Sequence, residues 1–331
     1  ERAQPPRISI IRALEGQGGP PALDRGDVRR IHEALDEAGI RRLQKSRTVG
    51  DYRLGEILGE GPGYQDRLAE HQTLAGITKR IRHYLITKAA SQEERDQVRR
   101  AAEREYRLVE PFRHPGILRA QDFRMHEHGP ALVFEHEPDS LRLQQFLDAH
   151  LDSLGIEERL DLWRQVVEAL RYAHSRKVLH RGLSPLSIEV HAPDGQHPQL
   201  KVGDWQTGAV EGGTTGTIHV HQLVETQATA YVAPEALSSP HQAGEYSDIF
   251  SLGALGYTIL SGCAPASSHM GLRQLLEKYG GLRLSSVQDG VPQELDDLIF
   301  RCTRPEVGQR PASTEALLEE IDDILERLRA A

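Results

Sequence analysis

The chain changes its hydrophobic rhythm part-way along. From Asp51 to about residue 136, apolar and polar positions alternate over short runs broken by glycines. "YRLGEILGEGPGYQ" reads as strand, Gly-rich turn and strand; "GITKRIRHYLIT" (76–87) and "ALVFEH" (131–136) read as further strands. One stretch interrupts them: residues 91–109, "SQEERDQVRRAAEREYRLV", have the spacing of a helix. Beyond residue 136 helices dominate. Trp163, Val166, Val167, Leu170 and Ala173 form an apolar stripe over 158–174, and Leu317, Leu318, Ile321, Leu325 and Leu328 form another over 313–329. A strand-rich half followed by a helix-rich half predicts an α+β fold in two lobes. The expected division is an N-terminal linker and helix over 1–49, a β-rich lobe with one helix over 50–136, and a mostly helical lobe over 137–331.

The first segment has a different texture. Residues 1–23 are rich in Pro and Gly, with one short strand expected at Ile8–Ile11. Val28, Ile31, Ala34 and Leu35 share one face of a predicted helix over 27–38, which Gly39 ends. The arginines around it alternate with acids, the pattern of a solvated helix face.

Composition narrows the function classes. Charged residues make up 27% and hydrophobic residues 38%, ordinary for a soluble globular protein. A net charge of −9 argues against a surface built for nucleic-acid phosphates, and nucleic acid is not indicated as a partner. Two cysteines, Cys263 and Cys302, offer no disulfide framework, so a cytoplasmic location is expected. The longest apolar run, 249–260, is too short to span a bilayer. The chain begins at Glu1 rather than Met, and a longer parent protein is expected.

A series of short motifs carries the chemistry. Gly59-Glu60-Gly61 opens a Gly-rich turn. Glu105 lies in the helix over 91–109, and "LVFEHEPDSL" (132–141) follows it. "HRGLSPLS" begins at His180, Asp204-Trp205-Gln206 follows, then Ala233-Pro234-Glu235, Asp248 in "YSDIFSLG" and Arg310 in "GQRP". In this order, over roughly residues 50 to 330, they resemble the motifs of a protein kinase. The resemblance implies a bilobal kinase fold. It puts Phe134 at the gatekeeper position, Glu135 and Glu137 in the hinge, and Gly59 and Gly61 over the nucleotide phosphates. It also implies that Glu105 pairs with a basic residue on the preceding strand. The best register gives Arg82 that place, with Lys88 as its rival, and puts Arg80 where a small residue usually touches adenine. Glu235 and Arg310 stand where the family has a buried ion pair, and Asp248 where it has a carboxylate capping the catalytic-loop backbone.

"GEGPGYQD", "HRGLSP" and "DWQTG" together also resemble the kinase-like region of the phage growth limitation protein W family, whose members belong to bacterial anti-phage systems. That likeness implies partners among other defence proteins or other domains of the parent chain.

The departures from the kinase pattern fall on the reacting groups. Phosphoryl transfer needs positioning and electrostatic stabilisation more than covalent help. A general base contributes about 10²–10⁴ in rate, and Gly182 stands where the kinase Asp belongs. Ser184 replaces the Lys that steadies the γ-phosphate, and Ser187 replaces an Asn metal ligand. Tyr64 replaces the third Gly of the loop. Pro62 removes a backbone N–H at its tip. Trp205 is expected to plug the pocket wall, and Gln206 replaces a Gly. Asp204 remains the candidate Mg²⁺ ligand. Thr214, Thr215 and Thr217 are candidate phosphosites, and His219 and His221 lack the further ligands of a metal site. Two readings stay open. One is a pseudokinase serving as a regulatory or interaction module, with no cofactor expected. The other is an active serine/threonine kinase or another nucleotide-dependent transferase, with ATP and Mg²⁺ bound through Asp204.

Overall fold

Period-two alternation builds the first half. The computed structural model describes residues 48–61, 63–86, 90–126, 128–193, 197–211, 228–238 and 243–330. The expected elements before residue 48, together with Pro62, Lys88, Thr214, Thr215, Thr217, His219 and His221, lie outside the described residues. Strands β1 (Thr48–Val49), β2 (Tyr52–Gly61), β3 (Tyr64–His71) and β4 (Thr78–Tyr84) run in order along one antiparallel sheet. Helix α1 (Gln92–Val109) follows, then β5 (Ala120–His126) and β6 (Gly129–Phe134), giving the order β1-β2-β3-β4-β6-β5.

Strand β4 is shorter than the pattern of 76–87 suggests, and it is central. It pairs with β3 on one side and β6 on the other, placing Arg82 opposite Asp66 and Leu132, and Arg80 opposite Phe134. Successive side chains of a strand point to opposite faces. Arg80, Arg82 and Tyr84 therefore share one face of β4, and Ile81 and His83 the other. On that second face Val49, Ala69, Ile81, Ala131 and Val133 form a small apolar cluster.

Helix α1 starts at a capping box. The Ser91 hydroxyl accepts from the Glu94 N–H, and the Glu94 carboxylate accepts from the Ser91 N–H at 2.7 Å. Its buried residues are Ala102, Glu105, Leu108 and Val109, so the face turned inward carries one carboxylate among apolar side chains.

The second half is helical. A short strand β7 (Leu141–Arg142) leads into α2 (Leu143–His150) and α3 (Ile156–His174). Strands β8 (Val178–Leu179), β9 (Ile188–His191), β10 (Gln199–Val202) and β11 (Ala209–Val210) form two small sheets, β10-β9-β7 and β11-β8. Helices α4 (Pro234–Ser238), α5 (Glu245–Ser261), α6 (His269–Tyr279), α7 (Gln293–Cys302) and α8 (Thr314–Ala330) complete it. The stripe on α3 is fully buried against α5, where the Trp163 indole donates to the Leu252 carbonyl at 2.8 Å. Residues Thr48–Ala331 form one unit, with a single large core running from α1 through the helical half.

Candidate functional site

The cleft lies where the charged face of β4 meets the loops before β9 and after β10. Arg80 and Arg82 are almost wholly buried there and converge on Asp66 of β3, which has no exposed surface. Arg80 Nε donates to Asp66 Oδ2 at 3.0 Å, Arg82 Nε to Asp66 Oδ1 at 2.9 Å, and Arg82 Nη2 to Asp66 Oδ2 at 2.9 Å. Asp66 occupies the valine position that follows the third glycine in the G-x-G-x-x-G-x-V pattern. Burial by itself would raise its pKa, but the guanidiniums of Arg80, Arg82 and Arg142 outweigh that and hold it well below the usual range.

The same arginines reach further. Arg82 Nη1 donates to Glu105 of α1 at 2.9 Å, and Arg82 also pairs with Asp204. Arg80 pairs with Glu189 of β9. From the start of α2, Arg142 comes within 3.6 Å of both Asp66 and Asp204, and donates to the Leu186 carbonyl. Three arginines thus meet four carboxylates in one cluster. Burial pushes the Glu105 pKa up, ahead of the opposing pull of Arg82, and the buried Tyr84 phenol donates to it. Burial would raise Asp204 as well, but Arg82, Arg142 and Arg80 keep it ionised below the usual range.

Tyr64 closes the top of the cleft. Its ring lies 3.9 Å from the Arg82 guanidinium, and its hydroxyl donates to Asp204 Oδ1 at 3.4 Å. A Cβ at Gly61 would meet that ring at 2.3 Å, so the glycine is what lets the ring fold back under the turn. Gly59 lies above Arg142, whose guanidinium would be 3.7 Å from a Cβ there. The space below the Gly-rich strand pair is therefore taken by a phenol and a guanidinium. The hinge carboxylates are engaged too: Lys201 of β10 donates to Glu135 at 2.7 Å and to Glu137 at 2.6 Å.

The catalytic-loop positions are tied to the backbone. The buried Ser187 hydroxyl accepts from the Ser184 N–H at 2.9 Å and donates to the Ser184 carbonyl at 2.7 Å, closing a one-turn loop. The Ser184 side chain is buried, with no charge to offer a phosphate. A Cβ at Gly182 would stand 2.5 Å from the Thr207 hydroxyl, which itself donates to the His180 carbonyl at 2.9 Å. The His180 imidazole is buried, which lowers its pKa, and it bonds the Gly203 carbonyl at 2.9 Å. Arg181 has a left-handed backbone, φ +67°. Its N–H and that of His180 both donate to Asp248, at 2.7 and 2.8 Å.

One expectation about the pocket wall is corrected. Trp205 does not plug the cleft. Its ring packs tilted against His180, centroids 4.5 Å apart, and edge-on to Phe112 at 5.3 Å, and its indole N–H reaches the Val202 carbonyl. It joins the core because Asp204, in left-handed backbone at φ +58°, turns the next residue inward.

In the helical half, Arg310 grips Glu235 through both terminal guanidinium nitrogens, at 2.6 and 3.1 Å. It also donates to the carbonyls of Tyr246, Pro305 and Arg304. Asp248 accepts a further bond from His174 at 2.8 Å. Glu245 and Asp248 hold the His174 imidazole against the effect of its burial and raise its pKa to about 9.

The donor set does not suit a divalent cation. Both Asp204 oxygens face cations or a phenol, Ser187 is spent on backbone, and no group of three metal-ligating side chains occurs among the described residues. Residue reasoning missed Asp66, Arg142, Glu189, Tyr84 and Lys201. A signal did exist for Asp66: a carboxylate at the valine position of the Gly-rich pattern.

The protein kinase domain profile matches residues 69–320. This chain belongs to that family. Its match begins beyond the Gly-rich turn and Asp66. Among relatives, the probable kinase PglW of Streptomyces coelicolor is 31% identical over 328 residues, covering 91% of this chain and 21% of that protein. CBL-interacting protein kinase 17 of rice (Oryza sativa subsp. japonica) is 26% identical, over 66% of this chain and 45% of its own length. The carbon catabolite-derepressing protein kinase of rye (Secale cereale) is also 26% identical, over 67% of this chain and 42% of its own. The chain thus spans less than half the length of each.

Proposed function

We propose that this is a pseudokinase: a kinase domain that serves as a regulatory or interaction module in a bacterial anti-phage defence protein like PglW. One observation carries the reading. The cleft in which a kinase holds nucleotide is filled by the protein's own buried ion cluster, Arg80, Arg82 and Arg142 with Asp66, Glu105, Glu189 and Asp204. To admit ATP, the chain would have to part buried charges that lack other partners of comparable strength. The catalytic loop supports the same reading, since Gly182 leaves no acceptor for the proton of an attacking hydroxyl. Its partners would be other domains of a longer parent chain or other defence proteins, in the cytoplasm.

Calorimetric titration with ATP and Mg²⁺ tests the reading, paired with labelled-ATP transfer using Asp204→Asn as the blank for contaminating kinase. No saturable heat and no incorporation above the blank are expected. Gly182→Asp should restore nothing, because its side chain runs into Thr207. Micromolar, Mg²⁺-dependent binding together with incorporation lost in the blank would favour the second reading, an active kinase whose Asp204 leaves Arg82 to take up metal.

A further inference from the structure

The cluster does more than fill space, because several of its links join the two lobes. Asp66, Arg80, Arg82 and Tyr64 belong to the six-stranded sheet; Arg142, Glu189 and Asp204 belong to the helical half. Arg82 to Asp204, Arg80 to Glu189, Arg142 to Asp66 at 3.6 Å and Tyr64 to Asp204 at 3.4 Å all cross between them. The same Arg82 holds Glu105, so the position of α1 is coupled to the closure. Lys201 adds a brace on the hinge from the helical side.

A ligand closes a two-lobed protein by contacting both lobes at once, and it shifts the balance only by the difference in its affinity for the two states. Here resident side chains make those contacts. We propose that the ion cluster is a built-in clamp, which holds the lobes shut and α1 docked without nucleotide, so that the module presents one fixed surface. The inference rests on the reading of a cleft closed to ATP. It adds that breaking the cross-lobe pairs, rather than adding a ligand, is what opens the molecule.

The chain supplies a convenient probe. Cys263 is exposed, whereas Cys302 is buried and its thiol is pushed up to about 12, which keeps it unreactive. Spin labels on Cys263 and on Leu74→Cys, at the exposed turn after β3, report the interlobe distance in the full chain. One narrow distribution is expected, identical with and without ATP and Mg²⁺. The double change Glu189→Gln with Asp204→Asn cuts the two cross-lobe carboxylates and leaves the Asp66 contacts in place. It should broaden the distribution and lengthen it by several ångström, and should speed amide exchange in α1. Glu189→Gln alone, at a partly exposed carboxylate, should do the same to a smaller degree and keeps the test valid if the double variant does not fold. A broad distribution in the parent would overturn the clamp, as would cut variants as narrow as the parent. A parent distribution that is broad alone and narrowed by ATP would sink the pseudokinase reading with it, whereas narrow cut variants without ATP binding would sink the clamp only.

Discussion

The cleft and the helical half use buried charge in opposite ways. In the helical half Arg310 and Asp248 are anchored within one lobe and largely to backbone. Arg310 has Glu235 plus three carbonyls, and Asp248 has two N–H groups plus His174. In the cleft the charged groups depend on one another, side chain to side chain, across a lobe boundary. Backbone-anchored charges survive the loss of one partner with most of their hydrogen bonds intact. A side-chain cluster does not, because each removal leaves its neighbours charged and buried. The first arrangement holds a fold together locally. The second fixes how its halves meet.

Four measurements sharpen or break that contrast. The largest effect should come from Asp66→Ala, which leaves Arg80 and Arg82 short of their common acceptor. A loss of about 3–5 kcal/mol in urea unfolding is expected, and a loss below about 1 kcal/mol would mean that the cluster relaxes as easily as a surface pair.

Next comes pH. The His174 pKa is raised to about 9 from an ordinary 6.5. Its contribution is therefore complete below pH 6.5 and is lost as pH rises through 9, at most about 3 kcal/mol at 1.36 kcal/mol per unit. Unfolding curves at pH 6.5, 7.5 and 9 should show the decline, and His174→Gln should flatten it. At the acid end His83 works the other way. Burial, with His126 and His128 nearby, lowers its pKa to about 4, so its contribution is present above pH 6.5 and is lost as pH falls towards 4.

Glu235→Ala should cost less than Asp66→Ala, about 1.5–3 kcal/mol, because Arg310 keeps its carbonyl acceptors. If it costs as much, backbone anchoring does not protect a buried cation. The smallest effect belongs to Lys201→Ala. Its partners Glu135 and Glu137 are about a third exposed, so less than about 1 kcal/mol is expected by thermal unfolding.

How much of this was legible in the residues divides along physical lines. Helix α1 was plain from its spacing and the α3 stripe from its period. The order of motifs was enough to expect a two-lobed α+β kinase fold, which the family match and the sheet-then-helix architecture bear out. Strand β4 shows where pattern reasoning runs out. Charge on one parity and apolar residues on the other look like a half-exposed edge strand. Alternation reports that two faces differ, not that one is wet. Arg80 and Arg82 are on a central strand with acids to meet them, and those acids come from β3, α1, β9 and the loop after β10. No local period links residues 66, 80, 142, 189 and 204, so only the fold assembles them. Trp205 shows a second limit. Residue size was visible, but its direction was set by the left-handed turn at Asp204.

The contact between Gly182 and Thr207 imposes an order on any route back to a working catalytic loop. An acid added first crowds the Thr207 hydroxyl, which must shift to make room for its Cβ. Trimming Thr207 first removes the bond that the buried His180 carbonyl accepts, a loss of about 1 kcal/mol with no activity in return. Each single step therefore costs stability before it can return any activity, and even the paired change leaves Ser184 uncharged and Ser187 tied to backbone. In the landscape of sequences this loop lies in a basin with a rim, trapped as a misfolded chain is trapped in the landscape of conformations. An engineer restoring the acid must therefore treat Thr207 as part of the problem from the start.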